Sequence, residues 1–288
     1  MADPRGSGAT ARRRAARLGA FALLAAALVL TAAAATLHFG SRWKLRRLPQ
    51  VPPIVAVPGG GDAVEGARMA AIIGCTGCHG VDMAGVANCY EEAGRFRFNC
   101  PNVIEARNRY SDRDFVILLR HGRKLDGALV DFMPWDMYAQ LSDQDLADII
   151  AFIRALPAAG KPVQPATEYA WATRWEILRG AYPYVNDLAD YDTRPREGIA
   201  ERGRYLTSIA CPECHAPDLE GYEGDSAPGL LIAKAYPPEA FARLLRTGRT
   251  LAGTDSATGL MSGVARARFA HLTDDEIAAI KAYLEQRE

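Results

Sequence analysis

The 288 residues carry 34 Lys or Arg against 34 Asp or Glu, a formal net charge of zero, with five His and six Cys. The balance is uneven: nine bases and one acid stand in residues 1–47, which leaves 25 bases against 33 acids in residues 48–288, a net of −8. Such a body has no basic stripe for nucleic acid, which excludes that class of partner, and its field favours a basic docking protein.

Residues 1–17 read as a basic cytoplasmic tail and residues 18–39 as a membrane anchor, with no formal charge in that run before His38. As a helix this run suffices to cross a hydrocarbon core of about 30 Å. Arg5, Arg12, Arg13, Arg14 and Arg17 precede it, while Arg42, Trp43, Lys44, Arg46 and Arg47 follow, so charge bias alone sets the orientation only weakly. A cleaved secretory signal is the alternative, because Ala33-Ala34-Ala35 offers a small-residue site. The apolar run exceeds the roughly 7–15 residues of a usual signal core, which favours the anchor. Residues 40–61 follow as a linker.

Two segments of the form Cys-x-x-Cys-His stand 136 positions apart: Cys75-Thr76-Gly77-Cys78-His79 and Cys211-Pro212-Glu213-Cys214-His215. In each, two thiols can add to the vinyl groups of one haem while the adjacent imidazole meets its iron, the spacing of c-type haem attachment. A thiol redox pair or half a zinc site shares the Cys-x-x-Cys but does not ask for the following His, and here it occurs twice. Two covalently bound haems c are therefore expected, held by Cys75, Cys78, Cys211 and Cys214, with His79 and His215 on iron. Haem attachment outside the cytoplasm also decides the orientation of the anchor.

The remaining thiols, Cys89 and Cys100, close a short loop, and an oxidising compartment favours a disulfide between them worth about 3 kcal/mol. Registering the haem motifs exposes an internal duplication. Asp82 and Gly85 answer to Asp218 and Gly221, the segment from Phe115 to that from Phe241, and Gly127 to Gly253. His79 and Phe115 are 36 steps apart and His215 and Phe241 only 26, a surplus of ten that falls around the Cys89–Cys100 loop and marks it as an insertion. Each half, residues 62–160 and 196–288, is expected to be one haem domain.

The segment from Phe115 predicts a helix ended at Gly122, and its counterpart one ended at Gly248, glycine being the residue that enters the left-handed region freely. Ser142-Asp143-Gln144-Asp145 and Thr273-Asp274-Asp275-Glu276 predict capped N-termini of amphipathic helices. Leu146, Ile149, Ile150, Ile153 and Leu156 in the first, and Ile277, Ile280 and Leu284 in the second, form faces that pack on their own domains. Between the halves, residues 161–195 combine Pro162 and Pro165 with Tyr169, Trp171, Trp175, Tyr182, Tyr184 and Tyr191. So many aromatics predict a segment packed across both domains, with a short helix at 168–179; an aromatic belt on lipid is the alternative.

A haem held by one His takes a sixth ligand. Met133 and Met261 align within two residues when the halves are registered, and both precede the capped terminal helix. In these features the chain resembles the class I cytochrome c family over about residues 62–157 and 197–286. That resemblance implies an all-α fold, here two tandem domains after an N-terminal transmembrane helix, each running from a first helix through Cys-x-x-Cys-His to a distal Met loop and a last helix. It also implies a proline carbonyl that takes the hydrogen bond of the proximal imidazole, a role that fits Pro101 and Pro228. Met137 is a rival to Met133. The second loop lacks the proline that usually follows the family's ligand, which leaves His271 or an open position as alternatives to Met261.

With His and thioether on opposite sides of each iron, the expected function is one-electron transfer rather than catalysis by this chain itself. The anchored two-domain arrangement and Leu260-Met261-Ser262-Gly263-Val264 followed by Phe269 are similar to cytochrome subunits of periplasmic dehydrogenases. The implied partners are a dehydrogenase as donor and a cytochrome or oxidase as acceptor, on the bacterial inner membrane with the haem domains in the periplasm. A di-haem peroxidase, or an internal relay subunit of a respiratory complex, is the other reading.

Overall fold

The computed structural model of the chain describes residues 6–46, 56–130, 132–158, 167–182, 199–223 and 227–287. The first element, α1 (Gly6–Arg46), is one continuous helix whose stretch Arg13–Arg46 is long and apolar enough to cross a membrane. Residues 40–46, expected in the linker, continue this helix because its last turn is held by packing described below.

The first half contains α2 (Ala63–Ile72), α3 (Cys75–His79), a hairpin of β1 (Val86–Glu92) and β2 (Phe96–Cys100), then α4 (Val103–Arg109), α5 (Asp112–His121), α6 (Trp135–Tyr138) and α7 (Asp143–Ala155). Next come β3 (Glu168–Tyr169) and α8 (Trp171–Arg179). The second half contains α9 (Ile199–Ala210), α10 (Pro212–His215), a 3-10 turn at Leu230–Ala235, α11 (Pro238–Thr247), α12 (Leu260–Ala267), a 3-10 turn at Phe269–His271 and α13 (Asp274–Gln286). The chain is thus predominantly helical, as expected.

The helix ends follow from local chemistry. Asp62 caps α2, its carboxylate accepting from the Val64 N–H at 2.7 Å. Ser111 and Asp114 close a full capping box on α5, as Thr273 and Glu276 do on α13. Gly122 and Gly248 end α5 and α11 with φ of 62° and 73°, the predicted left-handed stops. Ser142 caps α7 but Asp145 does not close the box. Instead the Ser142 N–H donates to the Tyr205 hydroxyl at 3.0 Å, and that hydroxyl donates to the Asp145 carboxylate. The cap of α7 is therefore completed by the other half of the chain.

In each half the first and last helices cross at a glycine. A Cβ on Gly66 in α2 would sit 1.9 Å from the Asp148 carbonyl of α7, and one on Gly203 in α9 would sit 2.0 Å from the Ala279 carbonyl of α13. The backbones touch there, so no other residue fits. The predicted faces bury as expected: Leu146, Ile149, Ile150 and Ile153 from α7 with Leu156 just past its end, and Ile277, Ile280 and Leu284 from α13. Both halves contribute to one continuous apolar core.

The insertion folds as an antiparallel hairpin, pairing Tyr90 with Phe98 and Glu92 with Phe96, and β3 extends it by pairing Tyr169 with Phe96. Cys89 and Cys100 form the expected disulfide. The aromatic segment packs differently from expectation. Tyr169 and Tyr182 join Phe96, Phe98, Ile177 and Leu45 in a small second core, and α8 lies against the end of α1. The described linker residues therefore bind the hairpin and the end of α1 rather than spanning both halves. Phe96 and Phe98 offer an apolar face close by, which no pattern in the linker's own sequence shows. Pro162, Pro165, Tyr184 and Tyr191 lie outside the described residues.

Candidate haem sites

Each Cys-x-x-Cys-His follows its domain's first helix directly, so a short helical turn carries both thiols and the imidazole. His79 Nδ1 lies 2.8 Å from the Pro101 carbonyl, and His215 Nδ1 lies 2.7 Å from the Pro228 carbonyl. A carbonyl only accepts, so in both rings Nδ1 is the N–H and Nε2 keeps the lone pair that a metal needs. Burial pulls the His79 imidazole below its ordinary value and so favours that neutral form, a shift that the Pro101 bond only partly opposes. Burial likewise pushes the Cys75 and Cys211 thiols up to about 12. Thiol redox and zinc chemistry use the reverse, a stabilised thiolate. Among the described residues no group of three or more His, Cys, Asp or Glu is placed to hold a metal ion.

In the second half, Cys211, Cys214, His215 and Met261 line one cavity of about 410 Å³, walled mainly by apolar residues such as Leu206, Leu230 and Phe241. An apolar slot with two thiols and an imidazole on one side and a thioether in its wall suits a covalently held haem. His271 is exposed and does not line this cavity; its carbonyl accepts from Arg68 at 3.0 Å. The missing proline after Met261 has a substitute that sequence reasoning did not single out. The buried Ser262 hydroxyl donates to the Gly248 carbonyl at 2.6 Å and accepts from the Ser256 N–H at 2.8 Å, which pins the start of α12 and with it Met261. A hydrogen-bonding residue next to the methionine was the available signal.

In the first half, Met133 is half-buried against the core, while its rival Met137 is buried within it. The hairpin holds the Met133 loop: Phe132 stacks on Tyr90 and Phe98 with ring centres 4.6 Å and 4.8 Å apart. The same hairpin ends at Cys100, next to Pro101. One stapled insertion thus positions both the Pro101 carbonyl and the residue beside Met133. Replacing Cys89 and Cys100 together by serine is expected to cost about 3 kcal/mol, read from denaturant midpoints. It should also shift the reduction potential of one haem and leave the other at its wild-type value. A shift in both, or in neither, removes the insertion from this role.

The two sites adjoin. Arg268, from the second half, packs its guanidinium so closely on Gly74, the residue before Cys75, that a Cβ there would sit 2.3 Å from Cζ. The same guanidinium pairs at 2.5 Å with Glu213, which stands between Cys211 and Cys214. One arginine therefore spans from one haem motif to the other. A second bridge lies alongside: the Glu276 carboxylate receives Arg68 of the first half at 2.7 Å and Arg202 of the second at 2.6 Å.

The family profile described as Cytochrome c matches residues 63–157 and 200–288. A "Diheme cytochrome c-type" protein of Cereibacter sphaeroides is 29% identical over 90% of this chain and 95% of its own length. The fructose dehydrogenase cytochrome subunit of Gluconobacter japonicus is 28% identical over 64% of this chain, and the gluconate 2-dehydrogenase cytochrome c subunit of Pantoea cypripedii 26% over the same share. The chain spans 42% and 48% of those two subunits. Two matched domains around two haem motifs make this chain a member of the cytochrome c family with two covalently bound haems c.

Proposed function

We propose that this protein takes single electrons from a dehydrogenase and passes them, through its two haem sites in series, to a cytochrome or oxidase at the bacterial inner membrane. Residues 62–160 and 196–288 form the haem domains on the periplasmic side, and α1 anchors them. The observation that carries the reading is the junction of the two sites through Arg268 and Glu213, which holds the attachment segments face to face within one body. The names of the two dehydrogenase subunits support the donor class.

Bound haem supplies one-electron chemistry at iron, and the residues around it set its potential. Cys75 with Cys78, and Cys211 with Cys214, would form the thioethers, and His79 and His215, each oriented by the Pro101 or Pro228 carbonyl, would ligate the irons. Met133 and Met261 would supply the thioether ligands and leave no position on iron for substrate. A thioether favours the ferrous state, so Met133→His should lower the potential of one haem and Met261→His that of the other, in a redox titration of the full chain. Each variant should also remove about half of the ferric near-infrared band that thioether ligation produces. Two results count against this reading. If Met261→His changes neither property while His271→Ala does, the second haem is bis-His and the Met261 assignment falls. If the wild-type protein binds carbon monoxide rapidly and turns over peroxide, the electron carrier itself falls. The second result installs a peroxidase in its place.

A further inference from the structure

We infer that α8 is a membrane-interface foot, with Trp171 and Trp175 seated in the headgroup layer of the bilayer that α1 crosses. The inference rests on the anchor reading of α1 and adds a second point of lipid contact that fixes how the haem domains stand on the membrane. The position comes from contacts. Leu178 of α8 packs on Gly40, where a Cβ would meet its side chain at 2.9 Å, and Lys44 Nζ donates to the Leu178 carbonyl at 2.9 Å. Ser41 is buried and receives Arg174 Nη1 at 3.4 Å, and Leu45 is buried in the core that contains Ile177. Residues 40–45 directly follow the apolar run of α1, so they and whatever packs on them lie at the boundary between hydrocarbon and water.

Thr173 and Ile177 turn α8 toward the protein, and Trp171 and Trp175 stand on its other face, 56% and 59% exposed. Phe39 and Trp43 of α1 are exposed to similar degrees, 68% and 55%. Two tryptophans one helical turn apart, beside the exit of a transmembrane helix, match the amphipathic ring that settles at headgroup depth. Charge agrees with this occupant. Arg42 and Arg174 lie close enough for their charges to oppose each other, and among the described residues neither is paired with a carboxylate. Adjacent guanidinium groups at this edge are complementary to lipid phosphate. The contacts among the hairpin, β3 and α8 transmit the position to the first haem domain, because Tyr169 pairs with Phe96 in the same sheet that clamps Phe132.

The test places single nitroxide labels on the full haem-loaded chain in lipid nanodiscs that contain anionic lipid, at W171C, W175C, L30C and V64C. Val64 is exposed on α2, and Leu30 lies mid-span. Accessibility to oxygen is compared with accessibility to a water-soluble nickel chelate, each as a difference from nitrogen. The expected result is an oxygen-to-chelate ratio at positions 171 and 175 several-fold above that at 64, and below that at 30. A haem count of two per chain checks that each variant has folded. Ratios at 171 and 175 equal to that at 64, with 30 still in hydrocarbon, overturn the foot and leave the anchor. A water-like ratio at 30 overturns the anchor itself, and the foot with it.

Discussion

Gly66→Ala is expected to disrupt the first haem domain more than the second, and Gly203→Ala to do the reverse. At both positions the added Cβ falls about 2 Å from a carbonyl of the crossing helix, 1.9 Å from Asp148 and 2.0 Å from Ala279. The obstacle is backbone, which cannot swing aside as a side chain would, so the two helices must separate. Overpacking a close-packed site costs about 1–3 kcal/mol, and here the loss should reach the upper end or beyond. The crossing also carries buried polar contacts: the Asp148 carboxylate accepts from the Asp62 N–H at 2.7 Å and from Gln144 at 2.8 Å. Separation would take the Asp62 N–H away from an acid that is only 3% exposed in the closed crossing. The measurement is covalent haem per chain together with the denaturant midpoint. Gly59→Ala, at a position with nothing within 4 Å of the added carbon, serves as the control that should change neither. Two haems and a wild-type midpoint in Gly66→Ala would show that α2 and α7 do not cross at this residue.

The second large effect is expected from Glu276→Gln. This carboxylate is buried, receives Arg68 from the other half and Arg202 from its own, and accepts from the Thr273 N–H at 2.9 Å to close the α13 cap. Burial alone would raise its pKa, but the hydrogen bonds from Arg68 and Thr273 win and hold it at about 2, against an ordinary 4.5. A folded-state pKa below the unfolded one gives stability that is complete above pH 4.5 and lost as pH falls through about 2. The difference corresponds to about 3 kcal/mol. Wild-type protein should therefore weaken steeply between those two values, and Glu276→Gln should flatten that part of the profile. At neutral pH the variant should lose at most about 3 kcal/mol, because Arg68 keeps its pair with Glu65 and Arg202 is half-exposed. Arg68→Met in the same background should restore little of that loss, because Arg68 keeps its ion pair with Glu65 at 2.5 Å. An unchanged acid profile in Glu276→Gln would show that the carboxylate does not couple the two halves.

The sequence by itself determined the features whose parts lie next to each other in the chain. Cys75, Cys78 and His79 are neighbours, as are Cys211, Cys214 and His215, and the chemistry of a Cys-x-x-Cys-His needs only that adjacency. The caps at Ser142 and Thr273, the stops at Gly122 and Gly248 and the apolar faces of α7 and α13 obey rules that act within a few residues. The duplication then carried the reading of one half to the other, and the count between His79 and Phe115 exposed the insertion. Tertiary structure decided the rest, because the partners are remote and their residue types carry no periodic signal. The Tyr205 hydroxyl completes the cap on Ser142 from 63 positions away. Arg268 reaches Glu213 across 55 positions and Arg68 reaches Glu276 across 208, pairs that no local rule distinguishes from surface charges. The fold of the insertion, its stacking on Phe132, and the choice of α1 and the hairpin as the seat of the aromatic segment all depend on which apolar faces the packed domains leave available. That availability is a property of the assembled surface, which a linear chain does not yet possess.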